Sequence, residues 1–464
     1  MPPPNITGKL HLGHAMFSTL QDIIIRHKRM TGYDALWTPG TDHAGLATQE
    51  KLMNELALQD INPSYDEFCK FAEDWKQNYQ GKITEQLRSL GSSCYWSKER
   101  FTLDNQYTDA TITAFNKCND ANMLYRKDNQ WYLDMKQLAD EIISCYENGE
   151  ITIIPESEGK TFCHFLRNIE PWCISRQIWW GHRMPIWYNE NGDWCSAYNE
   201  EDAKSKLSGN LYQEKDCLDT WFSSSLWPFA ILGWPNNTED YNKYYPADII
   251  ETADDILFFW CARMLMMGKL LTGKLPFKTI YLHGIIRDKH GRKMSKSLDN
   301  GIDPNDIITK YGCDTLRFAL AENTSPGLDM KISDEIFITS KKFINKLWNC
   351  SKFILMHYER NQSLNNIYNI SYIDPENIKM IHDALDEYNF RKAAGYIRHF
   401  IKDQFCDWWI ETSKEKLYAD DEETLKTGLR CLEEILKISH PFIPYITEYI
   451  WDSFHYTLLI DEQM

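Results

Sequence analysis

The chain has 464 residues, 43% of them hydrophobic, and a formal net charge of −17. That length predicts two or three domains with a core in each, and it excludes a disordered chain or a small disulfide scaffold. The acidic balance excludes indiscriminate binding to nucleic acid, yet permits a local basic strip that tracks a folded RNA.

From the N-terminus, Phe17, Leu20, Ile24 and His27 recur at helical spacing and predict a helix over Ala15–Thr31 that stops at Gly32. The apolar run Ala35-Leu36-Trp37 then reads as a strand, giving the turn, helix and strand of a βαβ unit in a parallel sheet. Gly40-Thr41-Asp42-His43-Ala44-Gly45 reads as a loop opening a second helix through Leu52 and Leu56. Such loops at the carboxyl ends of parallel strands are where these sheets bind ligands. Glu147–Glu158, with its short run Ile151-Thr152-Ile153-Ile154, reads as a connector. Trp172 to Trp234 is rich in tryptophan; most of these side chains are expected in the core, with two or three lining a pocket. Beyond Asp329 the pattern turns helical, through Phe343, Leu347 and Phe353 and then Ile378–Phe405, Thr424–Ile438 and Ile443–Phe454. This predicts a helical bundle of about 120 residues, with 361–377 as its exposed loop. The thirteen cysteines lie singly, with no C-x-x-C pair, and are expected to be reduced and structural, with no zinc site. No run of 18 apolar residues and no basic or apolar leader occur, so the expectation is a cytoplasmic location without a membrane partner.

Two strings carry chemistry. His11-Leu12-Gly13-His14 places two imidazoles and a glycine ahead of a helix, whose N-terminus already favours phosphate. Lys293-Met294-Ser295-Lys296-Ser297 puts two ammonium groups and two hydroxyls on a loop. Either alone fits a turn with a satisfied histidine or a solvated loop. In this order in one chain they supply donors for negative charge moving onto a departing pyrophosphate, and the pair resembles the class I aminoacyl-tRNA synthetases.

The resemblance narrows to the valyl-tRNA synthetase family on Pro2-Pro3-Pro4-Asn5-Ile6-Thr7-Gly8, Gly40-Thr41-Asp42-His43-Ala44-Gly45, Trp172-Cys173-Ile174-Ser175-Arg176-Gln177, Trp179-Trp180-Gly181-His182 and Asp219-Thr220-Trp221-Phe222-Ser223-Ser224. Asn345-Lys346-Leu347-Trp348-Asn349, Phe405-Cys406-Asp407-Trp408 and His440-Pro441-Phe442-Ile443-Pro444 extend it through the helical part, so it covers nearly the whole chain. It implies an α/β fold, a Rossmann-like parallel-sheet catalytic domain followed by an all-α anticodon-binding bundle. The implied divisions are a first catalytic half at 1–125, a connector remnant at 126–170, a second half at 171–335 and the bundle at 336–464. The implied activity is ATP-dependent formation of valyl-adenylate and transfer of valine to tRNA(Val). ATP, with Mg²⁺ on its phosphates, valine and tRNA are the implied cofactors and partners, and a monomer is expected. By the resemblance, His11, His14, Lys293 and Lys296 are catalytic. Thr7, Gly13, Asp255, Met294, Ser295 and Ser297 hold ATP, and Pro3, Asn5, Asp42, Trp180, Cys217 and Trp221 hold the amino acid.

Several departures from the family pattern set expectations of their own. Only Lys127–Asn129 join Leu124-Tyr125-Arg126 to Gln130-Trp131-Tyr132, where the family inserts a long editing domain. Thr252-Ala253-Asp254-Asp255 has a methyl where the family has glycine, and Asp299 stands where the second string's flank has glycine. The family's strand before Pro2 and its C-terminal coiled-coil arm are expected to be missing. These departures keep open a second reading, a catalytically weak RNA-binding or regulatory paralogue of a synthetase.

Overall fold

The computed structural model describes residues 1–294, 300–361 and 375–462, and the chain divides into two compact units. The first comprises Met1–Lys9, Leu36–Glu85 and Cys94–Leu282; the second comprises Leu10–Ala35, Gln86–Ser93 and His283–Met464.

In the first unit the strand expected at Ala35–Trp37 is irregular, and pairing begins later, at Gly40–Thr41, which lies parallel to Arg100–Phe101. A Cβ on Gly40 would stand 2.5 Å from the carbonyl oxygen of Arg100 and 2.4 Å from the ring of buried Trp227, so only glycine allows this approach. On the other side Asn5 bridges Asp42 in parallel: Asp42 N donates to Pro4 O at 2.9 Å and Ile6 N to Asp42 O at 3.1 Å. Trp75 Nε1 pins this N-terminal segment by donating to Ile6 O at 2.7 Å.

The connector expected at Glu147–Glu158 is instead structural. Its β-branched run forms the strand Thr152–Ile154, which pairs in parallel with Phe277–His283 in a three-stranded sheet completed by Ala247–Ala253. Three consecutive β-branched residues suffice because Ile153 is buried in the hydrophobic cluster that also holds Phe162 and Ile280. The junction at Lys127–Asn129 is a tight hairpin: Leu124–Lys127 pairs antiparallel with Gln130–Leu133, and Asp128 and Asn129 both take positive φ, 49° and 60°. Two left-handed residues between paired strands give the turn whose twist matches a hairpin, and Asp and Asn tolerate it best after glycine.

The second unit holds the helix Leu12–Met30, close to the expected span, together with Pro304–Tyr311, Cys313–Asn323 and the C-terminal helices. The helical reading beyond Asp329 holds as Asp334–Arg360, Pro375–Asp386, Phe390–Arg398, a π-helical stretch His399–Trp409, Ile410–Tyr418, Glu422–Ser439 and Pro444–Glu462. The single span read over Ile378–Phe405 is broken by Tyr388 at φ 56°, after which Asn389 caps the next helix by accepting from Lys392 N at 3.1 Å. Of the loop expected at 361–377, residues 362–374 lie outside the described residues, and Asn377 is helical.

This unit is organised around a buried ion pair. Arg317 and Asp22, both fully buried, meet at 2.7 Å between Nη2 and Oδ2. Arg317 also donates to Leu90 O at 3.1 Å, Pro441 O at 2.7 Å and Phe442 O at 3.2 Å. Asp22 accepts further from Arg26 Nε at 2.7 Å and from Ser93 N and Oγ at 2.7 and 2.6 Å. Burial alone would raise this carboxyl, but the two guanidinium groups and Ser93 outweigh it and hold it below the ordinary range. Removing one partner strands the other charge, so Arg317→Leu is expected to lower stability by about 3–5 kcal/mol in urea unfolding. Because the folded carboxyl lies below its unfolded value, the ion pair's contribution is full above about pH 4 and fades as the pH falls further; the difference between wild type and variant should shrink in parallel unfolding series below that pH.

Candidate active site

The first unit contains a cavity of about 790 Å³ whose lining includes Asn5, Asp42, Arg176, Asp219, Trp221 and Arg263. The strand ending at Thr41 delivers Asp42 to it, and the carboxylate is fixed on both oxygens. Oδ1 accepts from Ala44 N at 2.7 Å, and Ser224 Oγ donates to Oδ2. Burial pushes the carboxyl up to about 6, against the lowering effect of those two hydrogen bonds. An acidic group in this state is incompletely compensated, and a cationic ligand beside it would restore it to the ordinary carboxylate range.

Behind Asp42 stands a dry, neutral layer. His43 Nδ1 is 2.7 Å from Thr102 Oγ1, and His182 Nε2 is 2.6 Å from Thr102 O. Burial lowers both imidazoles to about 3, so they are structural and uncharged at neutral pH. Trp180 is buried here and donates from Nε1 to His43 O at 2.9 Å. Cys217 is 3% exposed, its thiol pushed up to about 12 by burial. The cavity therefore takes in Asn5, Asp42 and Trp221 of the expected amino-acid residues, whereas Trp180 and Cys217 pack one layer back and half-buried Pro3 is not among its lining.

Sequence reading passed over the opposite wall. Asp219 accepts from Trp172 Nε1 at 3.0 Å and pairs with Arg176 at 3.1 Å and Arg263 at 3.9 Å, and the Arg263 guanidinium lies 3.9 Å over the Trp172 ring. Ser224, Asp219, Trp172 and Arg176 all fall within strings that carried the resemblance, which was the available signal. Arg263 had none, lying outside every one of those strings in the helix Ala262–Thr272.

In the second unit His11 is the N-cap of Leu12–Met30. Its Nδ1 accepts from Gly13 N at 3.0 Å, and His14 Nδ1 accepts from His11 N at 3.2 Å, a capping box made of two histidines. The rings stand 4.1 Å apart. With both Nδ1 atoms accepting, the hydrogen-bond network assigns the proton of each neutral ring to Nε2. A Cβ on Gly13 would come within 2.8 Å of the His11 ring, which explains the glycine between them.

Of the second string, Lys293 is exposed and bridges Arg287, and Met294 is buried; Ser295, Lys296 and Ser297 lie outside the described residues, as does Asp299. The string is anchored by Asp288, which sequence reading did not single out. Its carboxylate accepts from Arg292 Nε at 2.8 Å, His290 N and Arg292 N at 2.9 Å and Asn300 Nδ2 at 3.1 Å. These bonds overcome desolvation and hold the carboxyl well below its ordinary value. Thr7 is half-buried in the first unit, and Asp255 is exposed on the short helix Asp254–Ile256, outside the cavity lining.

The family described as tRNA synthetases class I (I, L, M and V) matches residues 1–130 and 124–333, and the anticodon-binding domain of tRNA ligase matches 376–463. The fold agrees. A Mycobacterium tuberculosis methionyl-tRNA synthetase in complex with methionyl-adenylate superposes over 97% of this chain and 92% of its own, at TM-score 0.75 and 18% identity. An Agrobacterium radiobacter K84 LeuRS–tRNA–LeuAMS ternary complex does so over 97% and 84%, at TM-score 0.73 and 16% identity. These define a class I synthetase architecture. Among sequence relatives, the valine–tRNA ligase of Thermotoga maritima is 31% identical over 98% of this chain and 75% of its own length, and that of Symbiobacterium thermophilum 32% identical over 98% and 72%. The chain belongs to the valine–tRNA ligase family of class I tRNA synthetases. The Thermotoga alignment runs over 653 positions, so about two hundred of them fall opposite gaps in this 464-residue chain. The two catalytic-domain matches meet at 124–130, the Asp128-Asn129 hairpin.

Since Asp42 is raised above its unfolded value, its ionised form costs folding free energy at neutral pH, on the order of 3 kcal/mol for about two pH units. Asp42→Asn is thus expected to raise the urea midpoint at pH 7.5 and to lose that advantage below about pH 4, where the wild-type carboxyl is protonated in both folded and unfolded chains.

Proposed function

We propose that this chain is a valine–tRNA ligase that forms valyl-adenylate from valine and ATP and transfers the valyl group to tRNA(Val). The observation that carries the reading is Asp42: a buried, incompletely compensated carboxylate at the cavity favours a ligand that brings an ammonium group to it. The relatives' names supply valine as that ligand. Asn5 and Trp221 wall the amino-acid side chain, with Trp180 and Cys217 one layer behind and Pro3 in the same N-terminal segment as Asn5.

In this reading Asp42 pairs with the ammonium of valine and directs its carboxylate at the α-phosphate of ATP. The oxygen–phosphorus bond forms as the bond to pyrophosphate breaks, and charge moves onto the departing group. His11 and His14, with Nε2–H donors fixed by their own caps, and Lys293 and Lys296 stabilise that charge, while Thr7, Gly13, Met294, Ser295, Ser297 and Asp255 hold the nucleotide. Mg²⁺ travels on the triphosphate. Imidazole and ammonium groups are not Mg²⁺ ligands of choice, and among the described residues no group of three His, Cys, Asp or Glu side chains could hold a metal. The residues beyond 335 serve the anticodon end of the tRNA, and 1–125 and 171–335 form the two catalytic halves joined through 126–170.

The hairpin at Asp128-Asn129 leaves no room for an inserted domain at that point, so discrimination rests on the synthetic site. An apolar pocket rejects an isostere bearing a hydroxyl weakly; for valine over threonine the established figure for this enzyme family is about a hundredfold. Valine-dependent exchange of pyrophosphate into ATP is expected, with threonine exchanging about a hundredfold less efficiently and threonyl-tRNA accumulating uncorrected. Lys296→Ala should lower valine exchange about a hundredfold or more. A folded sample that binds tRNA yet exchanges with no amino acid would overturn the enzyme reading and leave an RNA-binding paralogue.

A further inference from the structure

The cavity wall opposite Asp42 carries more positive charge than its own carboxylate balances. Two guanidinium groups share Asp219, Arg176 through Nη2 at 3.1 Å and Arg263 through Nη1 at 3.9 Å. Arg176 is held further, donating from Nη1 to Cys173 O and Ser175 O, each at 2.9 Å. Arg263 is not. Its Nη1 is shielded from solvent, too far from Asp219 for a hydrogen bond, and without a hydrogen-bond partner among the described residues. A buried guanidinium with an unused donor is costly, and an anion brought to that donor recovers the cost as a charge-assisted bond. Burial lowers the group to about 10, so it stays charged at neutral pH. The remaining lining carboxylates besides Asp42, those of Glu50 and Glu170, are exposed, where solvent screens them.

Aromatic faces lie beside this donor. Phe258 and Phe259 line the cavity from the π-helical stretch Leu257–Cys261, which leads directly into the helix Ala262–Thr272 that bears Arg263. Phe258 stacks on Phe165 with ring centroids 4.6 Å apart, and Phe259 is 48% exposed with its ring 5.7 Å from the Arg263 guanidinium. A cation next to accessible rings is the chemistry that holds unpaired nucleotides, with phosphate on the cation and bases on the rings. Spacing favours a nucleotide over the carboxylate of the amino acid itself. Asp42 meets Ser224, the last residue of the helix Thr220–Ser224, and Arg263 meets Asp219, the residue that precedes it, across a rise of roughly 7 Å. The carboxyl carbon of an amino acid lies only about 2.5 Å from its nitrogen. In an aminoacylated 3′ end the ester and ribose put several more bonds between the ammonium and the first phosphodiester.

We propose that Arg263, with Phe258 and Phe259 beside it, seats the unpaired 3′ end of the tRNA, its unused Nη1 donating to a phosphodiester oxygen while the rings take the terminal bases. The inference rests on the reading of this chain as a valine–tRNA ligase. It assigns Asp219 and Arg176 a supporting part, since Asp219 orients both guanidinium groups and its Oδ2 is fixed by Trp172 Nε1 at 3.0 Å. The indole of Trp172, 3.9 Å beneath the Arg263 guanidinium, keeps that side chain flat against the wall with its edge available.

The test measures binding of tRNA(Val), intact or trimmed of its unpaired 3′ nucleotides, to the full chain and to its Arg263→Gln and Phe259→Ala variants at one ionic strength. Trimming is expected to weaken binding to the unaltered protein about tenfold or more, and to make little difference to Arg263→Gln, which has already lost the contact. Phe259→Ala should lose part of the trimming effect, and Arg263→Lys should keep more of it than Arg263→Gln. A merely structural role for Arg263 would weaken both tRNA forms alike. Phe259 is exposed, so its variant decides even where Arg263→Gln fails to fold. The proposal is overturned if the unaltered protein binds both forms equally, or if the trimming effect is undiminished in the folded variants; either result leaves the ligase reading standing. Failure of the unaltered protein to bind either form of tRNA(Val) would overturn that reading and the seat with it.

Discussion

The carboxylate of Asp22, buried and encircled by Arg317, Arg26 and Ser93, is the constraint on which the second unit depends. It is the fixed end of a network reaching three stretches of chain far apart in sequence. Arg317 carries the network to the carbonyls of Leu90, Pro441 and Phe442, so the helix that His11 caps is fastened to the junction between the last two helices. Asp314, in the same helix as Arg317, accepts from Tyr445 N and Ile446 N at 3.2 and 2.7 Å and satisfies the N-terminus of the helix Pro444–Glu462. A charge pair without water is tolerable only when every lone pair and proton is used. Here the saturation comes from backbone carbonyls at a helix junction, so the electrostatics and the topology specify one another.

That arrangement explains why the first signature string belongs by contact to the unit of the C-terminal helices and not to the unit that holds Asp42. The histidines themselves do double duty. Each spends Nδ1 on capping its own helix, which fixes the ring and sets which nitrogen carries the proton. Asp288 plays the corresponding part for the second string, gathering Arg292, His290 and Asn300 around one carboxylate on either side of residues 295–299. In both places ordinary local hydrogen bonds do the positioning, of the two rings in the first string and of the residues flanking 295–299 in the second.

The two units show two uses of buried acid. Asp22 is compensated and its carboxyl is lowered; Asp42 is not fully compensated and its carboxyl is raised to about 6. The first state stabilises a fold and the second costs stability, which is the state expected of a carboxylate that would gain from a cationic ligand, as the proposed function requires. The neutral histidines 43 and 182 and the indole of Trp180 pack behind Asp42 outside the cavity lining and bring it no compensating charge.

The sequence by itself determined most of the local elements and the family. Helical periodicity located the helix after His11 and the helices beyond Asp329, and the paired strings together with Gly40-Thr41-Asp42-His43 marked the family and Asp42, because local spacing and residue type carry that information directly. It misplaced the strand at Ala35–Trp37 and took Thr152–Ile154 for a connector, since a short strand is defined by its hydrogen-bonding neighbours, Arg100–Phe101 and Phe277–His283, which lie far along the chain. The wall formed by Asp219, Arg176 and Arg263 and the withdrawal of Trp180 and Cys217 behind the cavity were decided only by tertiary packing. Each depends on which side chains meet across tens or hundreds of residues, and no period or spacing within one element encodes that meeting.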